Sequence, residues 1–300
     1  VCIVVSDHTR KTAADRILPP LVGGLEQKGC SADDMFILFA CGIHRHPTAE
    51  EIEGILGLAI RSRFDGRICC HDPDDASNLV AVGKTRRGHT VRINRRAAEA
   101  RRLILTGSVT CHYHAGFGGG RKALVPGLAG RDTIAHNHSL TLDPSADRIH
   151  PGVAPGLMAG NPVAEEMLEA ALMRPPDFIV NTVLTPGNDL AGVFAGDMRA
   201  AHEAACALAA RIYRRDIREK ADLVIASAGT ASNWIQSHKA LFNAHLALKP
   251  GGRIVLLAPC PEGIGNDRFG YWVTRPGIAD IYAGLRKNPE VLGQTALSTR

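Results

Sequence analysis

Two uninterrupted apolar runs, Cys2-Ile3-Val4-Val5 and Met35-Phe36-Ile37-Leu38-Phe39-Ala40, do most to narrow the architectures open to this chain. Short runs without polar alternation belong to strands buried on both faces, as in parallel sheets covered by helices. Each run stops at a polar knot: Ser6-Asp7-His8-Thr9-Arg10 after the first, Gly42-Ile43-His44-Arg45-His46-Pro47 after the second. Ligands in open α/β sheets gather at the carboxyl ends of strands, so both knots are candidate site segments. Further strands are expected near Arg67 to His71, Thr90 to Ile93, Leu103 to Thr106, Phe178 to Leu184, Gly192 to Phe194, Leu223 to Ala226 and Arg253 to Ala258. Between them, helices are expected up to about Gln27, from a Thr48/Glu51 capping box to about Leu58, and over Val163 to Met173 with Glu165, Glu166 and Glu169 outward. Two more are expected over Ala200 to Arg215 and Asn233 to Leu248, while the basic connection Arg95 to Arg102 reads as a solvated face. Strand and helix alternate throughout, which predicts an α/β protein with mainly parallel sheets. The charged piece Arg214 to Lys220 divides it into a larger domain, 1–215, and a smaller α/β domain, 216–300.

Composition removes several function classes. The net charge of +5 is mild, aromatics make up 5%, and no basic run interleaved with aromatics suggests nucleic acid. No apolar run is long enough for a membrane span, and the chain opens on a strand-like run rather than a signal peptide. Starting at Val1 rather than Met, it reads as a trimmed or partial chain. The eight cysteines lack a C-x-x-C pair, so a zinc site of usual spacing and a disulfide framework are not expected; most are read as buried free thiols in a reducing cytoplasm.

The chemistry concentrates between Cys111 and Ser139, where four histidines (His112, His114, His136, His138) flank Gly118-Gly119-Gly120 and Arg121-Lys122. A glycine run placed before two cations suits backbone approach to a phosphate, with Gly118, Gly119, Gly120 and Arg121 as the cradle. The segment departs from a P-loop, since Arg121 and Ala123 stand where glycine and Ser/Thr are required, and from the dinucleotide fingerprint. A Gly-rich surface turn is the plainer alternative. The two His-x-His pairs have metal-ligand character, but no acidic partners of a zinc hydrolase stand nearby; neutral imidazole suits nickel or copper as well. Without G-x-S-x-G, a serine hydrolase is not indicated.

Asp7-His8-Thr9-Arg10, Gly42-Ile43-His44-Arg45, the block His112 to Gly127 and Asn137-His138, followed by Gln236 and Lys239, resemble the lactate racemase family. The resemblance implies a nickel pincer nucleotide, a pyridinium-3-thioamide-5-thiocarboxylic acid mononucleotide tethered covalently to a lysine, with nickel on one histidine. By motif position Lys122 is the tether, His138 the nickel ligand, and His44 and His112 the two acid/base histidines. Arg10 and Lys239 match cations around substrate and cofactor, and Asp7 and Gln236 match supporting polar groups.

The implied activity is a racemase or epimerase of a small anionic 2-hydroxy acid, with its active site in the cleft between the domains. The same resemblance implies an isomerase, expected in the cytoplasm, whose partners would be the cofactor-assembly enzymes; without them the protein is expected to carry no cofactor. Two histidines suit a racemase, which must serve either enantiomer. Lys11 in place of proline after the DHTR motif, extra imidazoles at His114 and His136, and Ile235 in place of an aromatic are departures at pocket-shaping positions, so beside lactate, larger or differently charged 2-hydroxy acids including sugar acids stand open as substrates. Two other readings stand beside this one: a 2-hydroxy acid oxidoreductase on the same cofactor, told apart by release of keto acid, and a non-catalytic nickel or nucleotide carrier, which has no use for the histidine pair.

Overall fold

A computed structural model describes residues 1–299. The described chain forms two units, one of residues 1–134 and 155–214, the other of residues 135–154 and 215–299. The first unit begins with β1 (Cys2–Ser6), α1 (Ala14–Gln27), β2 (Phe36–Ala40), α2 (Ala49–Leu56), α3 (Leu58–Arg63) and β3 (Ile68–Cys70). A hairpin of β4 (Leu79–Lys84) and β5 (Thr90–Asn94), then α4 (Arg95–Glu99), leads to β6 (Leu103–Ser108) and a small hairpin, β7 (Cys111–His112) with β8 (Gly116–Phe117). After α5 (Arg131–Ser139), in which the chain leaves this unit, come α6 (Pro162–Met173), β9 (Phe178–Leu184), β10 (Leu190–Gly196) and α7 (Met198–Tyr213).

The main sheet has the order β10-β9-β6-β1-β2-β3, parallel except for β10. From β1 the chain builds outward through β2 and β3, then returns to build the other side from β6. The strand order therefore reverses between β1 and β6, the kind of point where such sheets bind ligands. The apolar runs behave as expected: Ile3, Val5, Ile37 and Phe39 are fully buried and pack with Ala14, Leu18 and Val22 of α1 and Leu56 and Ile60 of α2 and α3. Each large aliphatic side chain so buried contributes about 1.5–3 kcal/mol before entropy is counted. On the other side, α7 places Ala205 and Ala209 against Val109, Phe117 and Val183.

Local signals behave as predicted in part. Thr48 and Glu51 form the expected capping box, and Asn161 caps α6 through the amides of Val163 and Ala164 with Pro162 in its first turn. The helix expected to Leu58 instead breaks at Gly57 into α2 and α3. Strand β4 was not anticipated, and the basic link after β5 contains α4, while its arginines, Arg95, Arg96, Arg101 and Arg102, are exposed as expected. Glu166 does not face outward: it is 2% exposed and accepts from Arg87 at 3.1 Å, because α6 buries more than one face. All eight cysteines are free, but only Cys2 and Cys41 are buried; the other six are partly exposed.

In the second unit β11 (Ala221–Ser227) pairs in parallel with β12 (Leu248–Leu257), joined by α8 (Trp234–Leu246). Three short helices follow, α9 (Asp267–Val273), α10 (Ile278–Lys287) and α11 (Val291–Leu297), none anticipated from sequence. Their Phe269, Trp272, Ile281, Leu285 and Ala296 form a core that also takes in Leu142 from the 135–154 segment. Arg286 fastens that segment further, donating to the carbonyl oxygens of Asp143 (2.9 Å) and Ala146 (2.6 Å).

Candidate active site

The knot after β1 meets the knot after β2 because the two strands are paired in register, Val5 with Phe39 and Ser6 with Ala40. Asp7, 2% exposed, accepts from His44 Nδ1 at 2.6 Å through Oδ2. Its other oxygen accepts from the Thr9 hydroxyl at 2.6 Å and the Thr9 amide at 3.0 Å. Burial alone would raise the Asp7 carboxyl, but the hydrogen bond and charge of His44, helped by Thr9 and Arg10, outweigh it and hold the group below its usual range. A carboxylate can only accept, so Nδ1 of His44 carries the proton and Nε2 is left as the basic nitrogen. Arg10 is exposed and its guanidinium donates to the Thr9 hydroxyl and carbonyl. Arg45 serves structure: it makes a two-pronged ion pair with Glu51, 2.7 Å on each prong, at the start of α2.

His112 comes from the far side of the switch point, on the hairpin that follows β6. Its Nδ1 accepts from the backbone amides of His114 (3.2 Å) and Ala115 (3.1 Å). The ring stacks on Tyr113 with centroids 4.8 Å apart. His114, offered by the sequence as one more imidazole near the site, is buried, and its carbonyl accepts from Asn161 at 2.9 Å.

The glycine run lies beside the end of β6 and is shaped from below. Gly119 sits at φ 67°, ψ −169°, and Gly120 at φ 52°, conformations that suit glycine. The Gly120 amide donates to Asn181 Oδ1 at 2.9 Å, and His202 Nε2 donates to the Gly118 carbonyl at 2.8 Å. Burial, and then the charge of Arg121, push His202 down to about 4, so it is neutral at pH 7. Lys122 follows in the short turn Gly120–Ala123 and is half-buried. The segment beyond it is tied to the His44 turn by the Gly42 amide, which donates to the Gly127 carbonyl at 2.9 Å.

Arg121, expected as a cation for a phosphate, is turned inward instead. It is 2% exposed and donates to the carbonyls of Ala115 (3.0 Å) and Ala164 (3.3 Å). Sequence spacing could not show this, since one step along a tight turn decides which neighbour faces in. Asn181 and His202 escaped the sequence reading altogether. They lie on a strand and a helix far along the chain and carry no motif.

The remaining predicted residues belong to the second unit. His138 lies in the last turn of α5, its carbonyl accepting from the Thr141 amide and hydroxyl. Gln236 and Lys239 are one turn apart on α8 and hydrogen-bond to each other, and Asn233 caps that helix through the Gln236 amide at 3.2 Å. Neighbouring His238 is fully buried and lowered to about 4 by that burial, its Nδ1 donating to the Ile235 carbonyl. Among the described residues no three His, Cys, Asp or Glu side chains converge so as to hold a metal by themselves.

Residues 1–149 match the model of the lactate racemase N-terminal domain. The lactate racemase of Thermoanaerobacterium thermosaccharolyticum is 32% identical over 277 residues, covering 91% of this chain and 62% of that protein. That of Lactiplantibacillus plantarum is 34% identical over 272 residues, covering 90% of this chain and again 62% of the relative. The chain thus spans less than two thirds of either relative. The lactate racemase apoprotein structure from T. thermosaccharolyticum superposes with a TM-score of 0.89 at 28% identity, over 99% of this chain and 71% of that one. A Thermotoga maritima protein shares the fold, with a TM-score of 0.77 at 18% identity over 100% of this chain and 77% of that one.

Proposed function

We propose, from the premise that this chain belongs to the lactate racemase family through its N-terminal domain, that it racemises or epimerises a small 2-hydroxy acid, lactate or a larger relative. The observation that carries this reading is the Asp7–His44 pair at 2.6 Å, on the β1–β2 side of a switch point whose β6 side bears His112 and leads into the Lys122 turn. An aspartate-backed imidazole is the arrangement that takes a hydroxyl proton and tolerates the charge that results.

The residues fit a lysine-tethered nickel pincer nucleotide. Lys122 would hold it covalently and His138 would ligate nickel; of the glycine run expected to face its phosphate, the Gly118 amide is taken by the Thr110 carbonyl at 2.8 Å and the Gly120 amide by Asn181, which leaves close backbone approach at Gly119 as the run's contribution. No three-residue metal cluster is needed, because such a nickel asks the protein for a single imidazole. When bound, the group supplies a hydride acceptor at the substrate carbon. The chain's own residues do the rest. Arg10 and Lys239 neutralise the substrate carboxylate, and Gln236 orients Lys239. His44 takes the hydroxyl proton at Nε2 while Asp7 holds the resulting imidazolium, and His112 attends the hydroxyl of the opposite hand. Lys11 and Ile235 shape the substrate side of the reading, favouring acids larger or more polar than lactate.

The test is intact mass and nickel content of protein co-produced with the pincer-assembly enzymes, followed by a chiral assay over a panel of 2-hydroxy acids. An adduct on Lys122, about one nickel per chain and interconversion of enantiomers are expected. No adduct and no nickel, beside a loaded control racemase from the same cells, would overturn the reading.

A further inference from the structure

We propose that Arg121 is a positioning residue that fixes His112 as a hydrogen-bond donor through Nε2, so that the two site histidines enter the reaction in opposite tautomers. The catalytic meaning rests on the racemase reading; the tautomers themselves do not.

The donors that face His112 Nδ1 cannot reverse. A backbone N–H only donates, and two of them, from His114 and Ala115, converge on His112 Nδ1 at 3.2 and 3.1 Å. That nitrogen must present its lone pair, and the ring proton of the neutral imidazole then sits on Nε2. His44 is the mirror case. Its Nδ1 faces a carboxylate oxygen at 2.6 Å, so the proton is on Nδ1 and the lone pair on Nε2. One ring is set to accept a proton and the other to donate a hydrogen bond.

What holds the His112 turn closed is Arg121. Its guanidinium is sunk in the first unit, donating to the carbonyl of Ala115, the residue whose amide faces His112 Nδ1. The same guanidinium donates to the Ala164 carbonyl at 3.3 Å in the first turn of α6 and contacts Met158 Sδ at 3.4 Å. A buried guanidinium without a carboxylate is costly to keep, and burial lowers this one to about 10. The planar fork is what allows two separate carbonyls to be gripped at once, which a lysine would not reproduce. Because Lys122 is the next residue, one anchor sets both the tether and the His112 turn. The polarity matters to the chemistry: in the resting site a hydroxyl that approaches His44 meets a lone pair, and one that approaches His112 meets an N–H, so His112 serves as base only after its ring proton has moved.

The test uses the cofactor-free protein, labelled with nitrogen-15. Long-range proton–nitrogen correlations at mildly alkaline pH read the tautomer of each ring, with H44Q and H112Q supplying the assignments. Wild type is expected to show an acceptor-type Nδ1 and a protonated Nε2 for His112, and the reverse for His44. In R121M the His112 pattern is expected to turn into a mixture of both tautomers while His44 keeps its own, which also reports that the fold is intact. R121K, with one ammonium nitrogen in place of the two-ended fork, is expected to fall between, and it carries the comparison should R121M not fold. A protonated Nδ1 on His112 in wild type, or an unchanged His112 pattern in both variants, overturns the proposal. Failure to form an adduct on Lys122 would sink the racemase reading and leave these spectra as they are.

Discussion

Replacing Gly119 by alanine tests whether the glycine run is a shaped cradle or a loose surface turn. At φ 67° and ψ −169° its backbone lies in a region nearly closed to residues with a Cβ, at a cost of about 1–3 kcal/mol. The added methyl would also stand 2.5 Å from Val109 Cγ2, 2.6 Å from Asn181 Oδ1 and 3.3 Å from the Ser108 carbonyl. Relieving such overlap in a packed layer costs about another 1–3 kcal/mol. Asn181 is the movable neighbour, and moving it loosens its bond to the Gly120 amide, worth about 1 kcal/mol. Because these contributions share atoms they do not simply add, and a loss of about 3–6 kcal/mol is expected. Urea unfolding of the cofactor-free protein, followed by far-ultraviolet circular dichroism, measures it. Gly24→Ala is the control: that glycine is exposed in α1 with nothing within 4 Å of a new Cβ, and the change should stabilise by up to about 1 kcal/mol. A Gly119→Ala protein within about 1 kcal/mol of the parent would refute the cradle.

Asp7→Asn should keep the shape of the pair but no longer hold a protonated His44; the loaded enzyme is expected to lose about 10²–10⁴-fold in kcat, and a loss under about threefold in the chiral assay would remove Asp7 from that role. His202 and His238 are both lowered to about 4 in the folded protein, so between the ordinary histidine value and 4 the unfolded chain binds more protons and stability falls as pH falls. Each should contribute about 2 kcal/mol of loss from pH 7 to pH 5, and His202→Gln should flatten that slope in urea titrations at the two pH values. Thr48→Ala removes the acceptor for the Glu51 amide and half of the capping box, with an expected cost of about 1 kcal/mol by thermal or urea unfolding.

How far these features could be read in advance depends on the range of the interaction. Ile3 to Val5 and Ile37 to Phe39 announce buried strands because a continuous apolar run has few other uses. Asp7 and His44 were each picked out, but their partnership was not, since it exists only because β1 and β2 lie side by side in register. Arg121 shows the limit most plainly: its neighbours in sequence said cation and phosphate, while its contacts are with carbonyls of Ala115 and Ala164. Glu166 reads as outward in the sequence, and Arg87, distant along the chain, is what allows it to be buried. The helices α9 to α11 are too short for periodicity to speak. Their Trp272, Ile281 and Leu285 declare themselves only on meeting Leu142.

That meeting has a consequence for how the polypeptide can be cut and made. The backbone passes from one unit to the other three times, after Ile134, after Ala154 and after Arg214. On a ribosome, the segment carrying His138 emerges long before Trp272 or Arg286 exists to receive it, and must wait as an unpartnered branch while the first sheet is completed by β9 and β10. A chain ended at Arg214 would strand that branch permanently, leaving Leu142 without its core and the Asp143 and Ala146 carbonyls without their guanidinium. Neither unit is therefore a free-standing cassette. Domain exchange among relatives would have to move the branch and the carboxyl-terminal portion together, as one inheritance in two pieces.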